Sequence, residues 1–147
     1  MSGGGARGVS LRQRALVVML PVIMAAGLAS RRWPAVLPGV VAAYAGDVLW
    51  SVMVYVLAAL VWPTLPPRVI ALRALAIAWT VELSQAVHLP WLDALRRHRI
   101  GALVLGQGFL WSDLLCYTGG IAVAFLLDRG WQRRARSGGA NERGETR

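Results

Sequence analysis

The chain has 147 residues, 56% of them hydrophobic and only 16% charged, with a mean hydropathy of +0.52. That balance excludes an ordinary soluble domain and points to one compact membrane unit. The net charge of +9 does not indicate nucleic acid, because every basic residue is Arg and most flank apolar runs, where they orient helices and meet anionic lipid head groups.

In chain order, residues 1–14 form a basic N-terminal segment whose Ser2–Gly5 stretch lacks the Lys-Ser/Thr context of a phosphate loop. The first apolar run, about Ala15 to Ala29, follows Arg7, Arg12 and Arg14 and ends in Gly27-Leu28-Ala29, which resembles a signal-peptidase site. Cleavage there would leave three spans. An uncleaved helix is the preferred reading, since four spans pair up-and-down and Arg31-Arg32 would be an unusual mature start. Pro21 lies inside this span and predicts a kink.

Three further runs, Leu37 to Val61, Val69 to Val87 and Phe109 to Leu127, reach or approach the roughly 20 residues needed to cross ~30 Å of hydrocarbon. Trp33, Trp62, Trp91, Trp111 and Trp131 fall near the span ends, as an interfacial aromatic belt would. The prolines other than Pro21 also cluster there, where a missing N–H costs least. The prediction is therefore an all-α integral membrane bundle of four transmembrane helices over residues 15–128, arranged up-and-down, followed by a basic, disordered tail over 129–147. Between the third and fourth spans, Trp91 to Gly108 mixes a basic amphipathic stretch with an apolar core, and reads as an interfacial or re-entrant segment lying as a lid over the polar residues.

An even number of spans puts both termini and the Pro63–Arg68 loop on one side, with Arg7, Arg12, Arg14, Arg68, Arg129, Arg133, Arg134 and Arg136. The opposite side carries Arg31, Arg32, Arg96, Arg97 and Arg99. The positive-inside rule then predicts cytoplasmic termini in a plasma (inner) membrane. Cys116 has no disulfide partner in the chain and reads as a small hydrophobe.

Three carboxylates lie within the spans, Asp47, Glu82 and Asp113, and each costs about 2.5 to 3.5 kcal/mol if it faces lipid at mid-depth. Counting the helical rise from each span end places all three in the same half of the membrane, the half bounded by the two Arg-bearing connections. Arg31, Arg32, Arg96, Arg97 and Arg99 are thus their natural partners. Helical spacing groups Glu82 with Gln85, Asp113 with Tyr117 and Gly120, and Asp47 with Trp50, Ser51 and Tyr55, so each span has an inward polar stripe. Gly119-Gly120 would admit a close helix neighbour.

Bland readings stand beside these. The acids and Gln85 can merely set helix register. His88 and His98 share no metal-ligand spacing, so no metal is predicted, and no cofactor motif is present. Asp93 with Arg96 or Arg97 reads as a local helix-surface pair, and Ser51 and Ser84 lack the His–Asp context of a nucleophile.

The strings GLASRR, LPGVVAAYAGDVLWSVMVY, VELSQAVHLPWLDALRR and GALVLGQGFLWSDLLCYTGG, spread over roughly residues 16–127, resemble a bacterial membrane family known only as a domain of unknown function. That family is distantly similar to VanZ-like proteins, which are associated with reduced sensitivity to teicoplanin. The VanZ-like pattern has Glu-x-x-Gln near one span end, an Arg in the connection, then Asp with Asn four and Gly seven residues later. Glu82, Gln85, one of Arg96, Arg97 and Arg99, Asp113 and Gly120 follow that order. Tyr117 stands in the Asn place and the connection is longer.

The function this implies is a polar intramembrane site, built from Asp47, Glu82, Gln85, Arg96, Arg97, Asp113 and Tyr117, that binds or shields an envelope or lipid-linked ligand. The alternatives are a small enzyme on a lipid-linked substrate, with one carboxylate as general base and Arg holding a phosphate, and a structural or partner-binding bundle. Membrane lipids are the other implied partners, and oligomeric state is left open.

Overall fold

The computed structural model describes residues 10–85, 90–98, 100 and 110–144, without side chains at 91, 92, 96 and from 136 onward. Five helices are described: α1 (Leu11–Arg32), α2 (Gly39–Val61), α3 (Pro67–Gln85), α4 (Pro90–Arg97) and α5 (Trp111–Gly144), with a 3-10 turn at Pro34–Val36. The described residues contain no strand.

Local chemistry accounts for the helix starts and stops. Ser10 and Gln13 form a reciprocal capping box that satisfies exposed amides of the first turn, so α1 begins at Leu11, four residues before the apolar run. Arg31 and Arg32 close it, where positive charge complements the helix dipole. Its 22 residues give about 33 Å, longer than the apolar stretch alone suggests. Pro67 opens α3 at the position where proline's fixed φ suits a first turn, and the Pro66 carbonyl accepts from the amides of Val69 and Ile70.

Helix α5, which holds the fourth apolar run, departs from the sequence reading. Residues 129–147 are read from sequence as a disordered tail, yet α5 runs on to Gly144. Gln132, Arg133, Arg134, Ala135 and Arg136 are good helix formers and no proline interrupts them. Within the stretch read as interfacial or re-entrant, α4 is a short helix; residues 101–109, and so the lid, lie outside the described residues.

Helix α2 packs against α1, α3 and α5, and α3 packs against α5. Neighbours in sequence run in opposite directions: Arg31 at the end of α1 reaches Asp47 near the start of α2, while Arg12 at the start of α1 reaches the Pro63 carbonyl beyond the end of α2. Small side chains line the contacts, among them the fully buried Ala59, Ala74 and Ala78. Gly120 is the tightest point. A Cβ there would strike the Ser51 hydroxyl and lie 2.7 Å from the Val48 carbonyl oxygen, whereas Gly119 faces open space. One glycine of the pair supports the close approach, because the two point to different sides of α5.

The outer surface is apolar. Val18 on α1, Val40 and Val61 on α2, Leu72 and Leu83 on α3, and Leu115 and Leu127 on α5 are all exposed, while Ser51, Glu82, Gln85 and Asp128 are buried. Helices α1 and α2 are long and apolar enough to cross a membrane. Arg68, Arg73 and Glu82 lower the apolarity of α3, and Arg73 turns its guanidinium back over the Trp62 ring, 4.6 Å from its centroid.

Candidate functional site

Glu82 sits one turn from the end of α3, on the same side as Ala74 and Ala78, and that helix face is pressed into the bundle. Its side chain is fully buried at 0% exposure. Oε1 accepts from the Leu110 amide at 2.9 Å, and Oε2 accepts from the Tyr117 hydroxyl at 3.1 Å. Leu110 immediately precedes α5, so a backbone N–H at the helix start and a side chain from its second turn both converge on one carboxylate. A buried carboxylate needs such donors, since leaving it bare in a low-dielectric interior costs several kcal/mol, roughly. The Tyr117 ring in turn leans on Trp50 of α2, with centroids 5.0 Å apart.

Asp113 lies two residues into α5 and accepts from the Ser112 hydroxyl at 3.1 Å. Asp47, about 12 Å along α2 from Gly39, pairs with Arg31 at 2.8 Å. The Arg31 side chain crosses α2 over Gly46, where a Cβ would come within 2.6 Å of Nε. Asp47 lies one turn before Trp50 on α2 and Asp113 one turn before Tyr117 on α5, and Trp50 contacts the Tyr117 that holds Glu82, so the three acids share one end of the bundle. The inward turn of Glu82, Gln85, Ser51 and Tyr117 was legible from helical spacing.

Partners were less legible. Arg31 is the guanidinium paired with this cluster among the described residues; none pairs with Glu82 or Asp113. Arg97 is exposed on α4, and the side chain of Arg96 lies outside the described residues. Glu82 is held instead by a hydroxyl and a backbone amide. With one positive charge against three carboxylates, the described cluster is rich in hydrogen-bond acceptors and suits ligand groups that donate: hydroxyl, amine or amide N–H.

Tyr55, assigned by spacing to the Asp47 stripe, belongs to a different site. Its hydroxyl donates to Asp128 Oδ2 at 2.8 Å, near the opposite end of the bundle. Arg12 grips the same carboxylate with two parallel bonds, Nε to Oδ1 at 2.8 Å and Nη2 to Oδ2 at 2.7 Å, and donates through Nη1 to the Pro63 carbonyl at 3.3 Å. Gln132 adds a contact to Oδ1 at 3.4 Å. Four parts of the chain are thereby tied at one point. Sequence reasoning passed over Asp128 because it ends the last apolar run and looks like a boundary residue; the signal was Arg12 at the matching end of α1, which an up-and-down bundle must bring to the same side.

A family model described as Protein of unknown function (DUF2809) matches residues 36–121, which hold α2, α3 and the whole Asp47, Glu82 and Asp113 cluster. No solved structure matches the chain.

Proposed function

We propose, for a chain that belongs to the DUF2809 family of proteins of unknown function, that it crosses the inner membrane four times and uses the Asp47, Glu82 and Asp113 cluster to bind or shield an envelope or lipid-linked ligand. The observation that carries this reading is the complete burial of Glu82 inside a bundle whose outside is apolar. Ionisable groups inside membrane spans are costly and mark ligand or ion paths more often than packing alone. The VanZ-like order of Glu82, Gln85, Asp113 and Gly120 supports the same site.

Crossing by α3 and α5 is supported by their outward faces, where Leu72, Ile77, Trp79 and Leu83 on one and Leu115, Val123, Leu126 and Leu127 on the other are exposed. Arg12, Arg14, Arg68, Arg129 and Arg133 lie at the termini end, which the positive-inside rule assigns to the cytoplasm. The acid cluster then faces the exterior. Its acceptor oxygens match a ligand presenting hydroxyl or amine hydrogens, such as a sugar or peptide head group carried on a lipid.

The test is Glu82→Gln and Asp113→Asn in cells, comparing sensitivity to envelope-directed drugs with protein abundance. Altered sensitivity at normal abundance supports the site; unchanged sensitivity at normal abundance removes it. A second reading is favoured by one observation, that both Glu82 oxygens are already engaged by Tyr117 and Leu110. In that reading Glu82 locks α3 to α5, and its neutralisation lowers stability without a separate phenotype.

A further inference from the structure

At the termini end, away from the acid cluster, a cavity of about 320 Å³ opens between the first turn of α3 and the outer part of α5. That volume lies within the roughly 300–1,000 Å³ range of small-ligand pockets. Three guanidinium-bearing side chains line it, Arg68 from α3 and Arg129 and Arg133 from α5, and no carboxylate does among the described residues. The acid nearest in sequence, Asp128, points the other way and is held by Arg12 and Tyr55.

Phe125, Arg129, Gln132 and Arg133 recur at three- and four-residue spacing along α5. Asp128 lies on the edge of the same stripe, three residues from Phe125 and four from Gln132, and it is the Arg12 guanidinium and the Tyr55 hydroxyl that engage its carboxylate. Arg129 stacks over the Phe125 ring at 5.9 Å, which holds its head group at the cavity instead of in bulk solvent. Gln132 donates to Asp128 at 3.4 Å, so the buried ion pair braces the pocket wall. Pro66 and Pro67 form an apolar edge, and the exposed Leu72, four residues on from Arg68, and Leu126, next to Phe125, continue the apolar surface.

We infer that this cavity is a binding site for the phosphate of an anionic phospholipid, with the head group among Arg68, Arg129 and Arg133 and the acyl chains along the α3–α5 surface. A planar guanidinium matches two phosphate oxygens at once, and three of them around one cavity set a place for the anion, not only a diffuse attraction. The apolar edge and the adjoining leucines favour a lipid over a free phosphate.

The experiment uses the full chain in mild detergent, titrated with phosphatidylglycerol or phosphatidylcholine, with bound lipid counted by native mass spectrometry. Phosphatidylglycerol binds the wild type more tightly than phosphatidylcholine. Arg68→Gln/Arg129→Gln weakens it by roughly fivefold per guanidinium removed. Arg68→Gln alone, an exposed first-turn change that leaves the bundle intact, produces the single fivefold step. The charge-matched pair Arg14→Gln/Arg134→Gln, exposed and outside the cavity, leaves binding unchanged. Equal binding of the two lipids, an unaltered Arg68→Gln variant, an equal loss in the control pair, or displacement of the lipid by inorganic phosphate at matched concentration would each overturn the assignment.

Discussion

The Tyr117 hydroxyl donates to Glu82 Oε2 at 3.1 Å, joining the second turn of α5 to the last turn of α3 inside the bundle. Tyr117→Phe keeps the ring on Trp50 and removes that donor alone. The variant should lose about 1 to 3 kcal/mol, the cost of leaving a buried acceptor underused. Chemical unfolding in detergent measures it, and a variant as stable as wild type shows that the bond contributes nothing.

The two ion pairs should behave differently. Arg12 and Asp128 keep only 14% and 6% of their side chains exposed, against 46% and 22% for Arg31 and Asp47. Breaking the buried pair with Asp128→Ala leaves a guanidinium and a tyrosine hydroxyl facing an empty space, at a cost of about 3 to 5 kcal/mol. Arg31→Gln should cost under about 1 kcal/mol. Equal losses in the two variants, read by the same unfolding assay, contradict the difference in burial.

Gly119 and Gly120 are adjacent, yet Ala substitution should separate them. Gly120→Ala drives a methyl into Ser51 and the Val48 carbonyl and should cost about 1 to 3 kcal/mol. Gly119→Ala meets nothing and should stabilise α5, by up to about 1 kcal/mol. Combining Gly120→Ala with Ser51→Gly recovers only part of the loss, because the backbone carbonyl remains. Full recovery would mean that the hydroxyl alone sets the approach.

The four-span reading is tested at α4. With Cys116→Ala as background, a cysteine placed by His98→Cys, at an exposed position, should react with a membrane-impermeant maleimide from the side opposite one placed by Arg134→Cys. Labelling of both from the same side shows that α5 does not cross.

Residue by residue, the patterned part of this protein was readable and the paired part was not. Glu82 and Gln85 repeat at helical spacing on α3, as Tyr117 and Gly120 do on α5, so the inward turn of each pair follows from the geometry of its own helix. The run-on of α5 past Asp128 was missed because glycine and charge resemble a disordered tail when no neighbour is considered.

Apolar run lengths and the positions of Arg, Trp and Pro determined by themselves that the chain is helical and where the apolar parts of α1, α2, α3 and α5 fall, because each depends on a single segment. Which donor reaches which carboxylate depended on how α2 settles against three neighbours, to within an ångström. Gly120 lets α5 close on Ser51, and Gly46 leaves room for Arg31 to cross to Asp47. Tyr55 is committed to Asp128 and Tyr117 to Glu82, although each tyrosine lies on a helix that carries an acid of its own. Side-chain hydrogen bonds form or fail over a few tenths of an ångström, a distance set by packing between segments and not written in any one of them.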